Sequence, residues 1–356
     1  MKKRKLKKPV KYTLVFILIL IGFLLIYKTE TGPVNKSDEI ITFDVEKGST
    51  YNSIAHSLKE KNLIKSELFY KIYIKLHKPN NLQVGSYPLS SNMNLKKLVN
   101  TLNGNAKSNM VKITFNEGVT FTDIVNALHE KLGIPTEDIY DKVKDTNYID
   151  SLIEKYWFLT DDIKDKDIYY ALEGYLFPDT YLFNKGSSVE DALEFMLNNT
   201  ELKLNDYKSE IEKSDYTIHE MMTMASIVEK EASNSDDRQG VAGVFYNRLE
   251  SGMPLGSDVT TYYGIQVKLT DRDLTDADLK TSNGYNTRNS NMAGKLPVGP
   301  ICMPGIESVK AAIEPTKHNY LYFVADKNGK TYFTKTNAEH NKMVSKLKSE
   351  GLWFNY

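Results

Sequence analysis

From Tyr12 to Tyr27 the chain reads YTLVFILILIGFLLIY without one charged residue, and before it stands MKKRKLKKPVK, dense in lysine and arginine. An apolar helix of ~20 residues spans a bilayer, whereas the apolar part of a secretory signal is shorter, so the length of this run leaves both open. The flank decides. Lys28, Glu30, Gly32 and Pro33 follow with no small-x-small cleavage pattern, which predicts an uncleaved signal anchor. The excess of positive charge on one side predicts a cytoplasmic tail over residues 1–11 and a span over 12–28. Tyr12 and Tyr27 then lie near the two interfaces, and everything after Lys28 lies outside the cytoplasm.

The remainder of a 356-residue chain is too long for one small core, and 41% hydrophobic with 26% charged residues is ordinary globular composition, so two or three domains are expected. Lys+Arg and Asp+Glu are both 46. Much of the positive charge sits in the tail, which leaves the exported part mildly acidic and argues against nucleic acid as a partner. Cys302 is the only cysteine, which excludes an intrachain disulfide and reads as a buried, inert thiol.

Residues 29–39, TETGPVNKSDE, suit a linker. A small unit over residues 40–110 follows. ITFDV alternates as a strand, Lys47-Gly48-Ser49 turns, and Tyr51, Ile54 and Leu58 recur at helical spacing. A second helix, Ser66 to Leu76, is apolar at Leu68, Phe69, Ile72 and Leu76, and LQVGSYPLS closes the unit as a strand, giving β-α-α-β. DVEKGSTYNSIAHSL and TFNEGVTFTDIVNAL align Gly48 with Gly118, Thr50 with Thr120, Ile54 with Ile124 and Leu58 with Leu128. Each is a strand, a glycine turn and a helix opened by a hydroxyl residue, and the second opens a larger domain over residues 111–356. The expected fold class is α+β.

In the larger domain a long amphipathic helix runs from about Ile218 to Ala232, and VAGVFYNRLESG is a second helix closed by Gly252. Leu255 to Gly305 is rich in Gly, Pro, Asn and Ser and reads as mostly loop, and long ordered loops carry function. YLYFVAD and KTYFTKT form a hairpin around Asn328-Gly329, before a helix bearing Glu339, His340 and Met343.

Met221, Met224, Ile227 and Val228 make the buried stripe of the long helix, and Glu229 adjoins it. Burial raises a carboxyl pKa and suits a general acid, and Ala225, Ser226, Ala232 and Ser233 leave room one turn away. A glutamate at the border of an apolar face is also a common structural residue, so periodicity alone leaves Glu229 open. Glu231, two positions on, points elsewhere and reads as solvated. The histidines are scattered without metal spacing, no cofactor motif is present, and neither a GxSxG elbow nor a P-loop occurs.

ASIVEKEASNSDDRQGVAGVFYNRLESGMPLGSDVTTYYG strongly resembles the endolytic murein transglycosylases, the YceG-like family of bacterial cell-wall enzymes. LEGYLFPDTY, GYNTRNSNMAGKLPVGPICMPG, YLYFVAD and TNAEHN extend the likeness over nearly the whole exported chain. The resemblance makes the β-α-α-β unit LysM-like and Glu229 catalytic. It implies endolytic cleavage of nascent peptidoglycan strands next to the membrane, with peptidoglycan synthases as partners. One carboxyl then protonates the oxygen leaving C1 of N-acetylmuramic acid and afterwards takes the proton of that sugar's C6 hydroxyl, leaving a 1,6-anhydro end. Glu173, Tyr175, Ser226, Asp258, Thr260, Tyr262, Tyr285 and Asn286 are the candidates for binding glycan. The chain departs from the family pattern at Met303, at Val259 and at Lys330 or Thr331, which bears on the groove. The alternative is a non-catalytic wall-binding scaffold that recruits the synthesis machinery; a muramidase-type hydrolase needs a second acidic group beside the first.

Overall fold

A computed structural model describes residues 8–36, 40–80, 82–104, 110–232, 234 and 236–353. The chain is mixed α and β and divides into two units, Met1–Val111 and Lys112–Tyr356.

The first unit begins with α1, Lys8–Glu30, of 23 residues. No helix among the described residues is long and apolar enough to cross a membrane. In the uncharged run of α1, the side chains of residues 12–16, 18 and 19 fall outside those described. β1 (Ile41–Val45) pairs antiparallel with a strand at 85–89, and its alternation turns Phe43 and Val45 into the core. Between the strands lie α2 (Ala55–Glu60) and α3 (Glu67–His77), the latter capped by Ser66, whose hydroxyl accepts from Phe69 N–H. β2 (Gly85–Leu89) and α4 (Leu95–Asn103) complete a core that includes Ala55, Leu58, Tyr70, Tyr87 and Leu98. α3 departs from the expected face: Leu68 and Leu76 are 64% and 67% exposed, and the helix buries Tyr70 and Tyr73 instead.

The two glycine turns share more than sequence. Gly48 and Gly118 both adopt the left-handed conformation, with φ +88° and +79°. Thr50 and Ser53 exchange backbone-to-hydroxyl hydrogen bonds at 2.9 and 3.1 Å, and across a capping box Thr120 N–H donates to the Asp123 carboxylate at 3.0 Å while Asp123 N–H donates to the Thr120 hydroxyl at 3.2 Å.

In the second unit β3 (Met110–Thr114) leads to α5 (Phe121–Leu132), α6 (Thr136–Lys144) and α7 (Thr146–Lys155). β4 (Thr180–Asn184) pairs with β3, and α8 (Val189–Leu204) and α9 (Lys208–Lys213) follow. α10 (Ile218–Glu231) starts at a capping box in which the Thr217 hydroxyl accepts from Glu220 N–H and the Glu220 carboxylate from Thr217 N–H. Every residue from Ile218 to Val228 except Glu220 is buried, so α10 is the central helix of the unit and not the one-sided amphipathic helix expected. α11 (Arg238–Glu250) packs beside it. The stretch expected to be mostly loop contains α12 (Asp258–Gly264) and α13 (Asp276–Lys280). α14 (Ile306–Ile313) lies along both α10 and α11. Last come the antiparallel hairpin of β5 (Tyr322–Ala325) and β6 (Thr331–Thr334), and α15 (Asn337–Ser349) packed on it.

Candidate active site

The two glutamates at the end of α10 have opposite surroundings. Glu229 is tied to three partners. Its side chain is 6% exposed, Oε1 accepts from the Arg238 guanidinium at 3.0 Å, and Oε2 accepts from Gly305 N–H at 3.0 Å and from the Ser308 hydroxyl at 2.7 Å. These contacts join α10 to the start of α11 and to α14. Both oxygens are thus engaged within the fold, one of them by a cation.

Glu231 opens onto a cavity of about 470 Å³, lined also by Arg248, Ser257, Asp258, Val259, Arg288, Tyr322 and His340. Burial pushes its carboxyl above the usual range, and neighbouring Asp258 adds to the rise. The Ser257 hydroxyl, which donates to Oε1 at 2.6 Å, and the charges of Arg288 and Arg248 pull the other way. The expectation that Glu231 is solvated is therefore corrected. The segment before α12 and the side chains of α11 close over the end of α10, which helical periodicity does not report.

Around this carboxyl, Arg248 is held by its Nε–H to Leu321 O at 2.7 Å and by a further hydrogen bond to Leu255 O. Its guanidinium lies 5.2 Å from the Tyr322 ring centre. Arg288 pairs with Asp258 at 2.5 Å. His340 lies against Tyr322, with ring centres 5.7 Å apart, and burial together with the Arg248 charge pushes its imidazole down. The cavity thus holds one enclosed carboxyl, two arginines, an exposed carboxylate and an imidazole. That set can protonate an oxygen and bind an anionic or hydroxyl-rich ligand.

Of the expected glycan-binding residues only Asp258 lines this cavity. Tyr175, Ser226, Thr260 and Asn286 are 0% exposed and face partners within the fold. Tyr175 shares a 2.8 Å hydrogen bond with His219, and the Ser226 hydroxyl donates to Thr223 O and accepts from Ile301 N–H. The Thr260 hydroxyl donates to Ser257 O at 2.7 Å, and the Asn286 amide donates to three carbonyls of residues 278–281. Tyr262 and Tyr285 are 7% and 1% exposed; the Tyr262 hydroxyl donates to Arg272 O, and the Tyr285 hydroxyl accepts from Tyr169 N–H. Glu173 accepts from the first amide of α5, Phe121 N–H, at 2.9 Å and from the Tyr263 hydroxyl at 3.0 Å, and burial pushes it up to about 8. Each of these residues has its polar atoms engaged within the fold. The residues that sequence reasoning passed over, Glu231, Arg248, Ser257, Arg288 and His340, come from separate elements. Ser257 and Arg288 belong to the Gly- and Pro-rich stretch, Arg248 to α11 and His340 to α15, so no single segment of sequence announces them.

The departures separate in the same way. Val259 lines the cavity. Met303 is buried elsewhere, its sulfur accepting from Gly174 N–H at 3.1 Å and its backbone bonded to Gly118 and Val119. Lys330 lies 5.0 Å from the Tyr332 ring centre, and Thr331 N–H donates to Asp237. A larger cavity, about 660 Å³, lies between the α5–α6 connection and residues 186–190. None of its carboxylates, Asp138, Asp141, Asp145 and Glu190, is buried, and Glu190 is paired with Lys142 at 2.6 Å.

The model of the YceG-like family matches residues 43–346. The chain is 37% identical over 332 residues to the endolytic murein transglycosylase of Bacillus subtilis (strain 168), covering 92% of this chain and 91% of that protein. It is 30% identical over 327 residues to the endolytic murein transglycosylase of Streptococcus pneumoniae serotype 2 (strain D39), covering 87% of this chain but 58% of that longer protein. A crystal structure of a YceG-like protein from Listeria monocytogenes superposes with a TM-score of 0.60 at 35% identity, covering 86% of this chain and 100% of that one.

Proposed function

The chain belongs to the YceG-like family, and from that premise we propose that it is a membrane-anchored endolytic transglycosylase of peptidoglycan whose acid is Glu231. The observation that carries the choice of residue is the contrast within α10. Glu229 has both oxygens occupied by Arg238, Gly305 and Ser308, while Glu231 faces the cavity with its carboxyl held toward the protonated form. The resemblance alone points to Glu229; the geometry favours its neighbour.

In this reading the glycosidic oxygen between N-acetylmuramic acid and N-acetylglucosamine sits against Glu231, which gives it a proton as the C1–O bond breaks. The carboxylate left behind takes the proton of the C6 hydroxyl as that oxygen closes onto C1, and a 1,6-anhydro end forms without consuming water. Arg248 and Arg288 supply cationic contacts for the carboxyl groups of a muramyl ligand. α1 serves as a single-pass anchor with the N-terminus in the cytoplasm, supported by the uncharged run Tyr12–Tyr27 behind a basic start. The LysM-like small unit holds nascent glycan, and peptidoglycan synthases are the partners that supply it.

Mass spectrometry of digested glycan strands tests the assignment. Wild type and Glu229→Gln are expected to release anhydro-ended strands, and Glu231→Gln to release them at least about a hundredfold more slowly. Release by Glu231→Gln at the wild-type rate would refute the residue. One observation favours a second reading: Asp258 shares the cavity, so a hydrolase with Asp258 as base has its two carboxyls. Incorporation of labelled water oxygen at the new end distinguishes that reaction from the anhydro route. If no variant or wild type cuts at all, the scaffold alternative stands.

A further inference from the structure

α3 exposes the face that periodicity would bury. Leu68, Lys71, Ile72, Lys75 and Leu76 follow at intervals that place them on one side of a helix. Leu68 and Leu76 are 64% and 67% exposed and Ile72 is half-buried, while Tyr70 and Tyr73 enter the core from the other side. The lysines between the apolar positions are exposed. Lys71 reaches Glu67 at 3.5 Å, and the described residues give Lys75 and Lys78 no acidic partner. An apolar stripe edged by lysine is poor as a water-facing surface and good as an interfacial one, because lysine can lay its stem on hydrocarbon and lift its ammonium to the headgroups.

The stripe also has a fixed place relative to α1. Phe69, next to Leu68, has its ring 6.4 Å from Phe23 and 6.2 Å from Tyr27. Lys65 Nζ donates to Thr29 O at 3.0 Å, and Leu95 N–H donates to Thr31 O at 2.9 Å. The first turn of α3 is therefore seated against the last turns of the apolar helix, where a chain leaving a bilayer crosses the headgroups.

We propose that α3 is an interfacial helix that lays its Leu68–Ile72–Leu76 stripe into the outer leaflet of the membrane anchored by α1, with Lys71, Lys75 and Lys78 on anionic lipid headgroups. The proposal rests on α1 being an anchor. Charge complementarity and the ring contacts with α1 select lipid as the occupant over a protein partner. The small unit then lies against the bilayer, held at two points and unable to swing about a single tether.

Fluorescence of the full chain in phosphatidylglycerol–phosphatidylcholine bilayers tests this. Cys302 is buried, so an environment-sensitive thiol label goes to an introduced cysteine, in L24C, L68C and L76C separately. The expected result is a blue shift and a loss of fluorescence on exchange into brominated lipid for all three, with shallow bromines acting more strongly on L68C and L76C. Loss for L24C without loss for L68C and L76C would overturn the proposal while leaving the anchor intact; no loss for L24C would remove the anchor and the proposal with it. Replacing phosphatidylglycerol by phosphatidylcholine is expected to reduce the loss for L76C, and an unchanged loss would take the lysines out of the contact.

Discussion

The hydroxyl of Ser257 donates a 2.6 Å hydrogen bond to Oε1 of Glu231, from a segment 26 residues further along the chain. Donation to the carboxylate favours ionisation, so this bond opposes the effect of burial. Ser257→Ala should raise the pKa of Glu231 further and move the basic limb of the pH–rate profile to higher pH. An unmoved limb would dissociate the hydroxyl from the acid.

Glu231→Gln should lower the rate of anhydro-end formation by about a hundred- to ten-thousand-fold or more, the range of a lost general acid. Its melting temperature should stay close to that of wild type, since the amide can still accept from Ser257. Product analysis beside calorimetry checks both halves.

Glu229→Gln should do the reverse. Arg238 would keep only Glu117, at 3.5 Å and half exposed, as a carboxylate partner. Breaking one side of a buried pair costs about 3 kcal/mol, so denaturant unfolding should show a large loss of stability, and residual activity should follow the folded fraction.

Glu173, pushed up to about 8 by burial, keeps its proton at neutral pH in the folded chain and loses it in the unfolded one. A raised folded-state pKa contributes stability below the unfolded value, and that contribution is lost as pH climbs toward 8. Wild type should therefore lose melting temperature between about pH 4.5 and 8 relative to Glu173→Gln. Parallel melting curves across that window would contradict the assignment.

Gly174 has φ +86°, and a Cβ there would collide with the Pro300 side chain. Gly174→Ala should cost more than about 1 kcal/mol, by backbone strain and collision together. Thermal unfolding reads it directly.

Much of the architecture was legible because local chemistry writes it: a hydroxyl cap, an apolar period, a glycine turn. The apolar run from Ile218 predicted α10 to within a residue of its end, and the β1–β2 unit followed from alternation and turn residues. The site was less legible. The resemblance reached this segment and singled out Glu229, and one helix's periodicity could not show that Ser257, Arg248 and His340 close around Glu231. The burial of the polar candidates was hidden for a related reason. Thr260 and Asn286 look like ligand contacts in sequence, yet they donate to backbone carbonyls near their own loops, and Tyr175 is bonded to the His219 ring. On α3 the period was read correctly, and its burial was not, because burial of a face depends on what lies opposite it.

α10 ends at Glu231, with Ala232 as its C-cap. The carbonyls of a helix's last turn gather the negative end of its macrodipole, roughly half an elementary charge. A carboxyl standing there meets a field that resists its ionisation, in addition to whatever burial contributes. Where the helix stops is thus part of this carboxyl's chemistry. An added turn would carry the negative pole past Glu231, and the same carboxyl in the same cavity would give up its proton more readily.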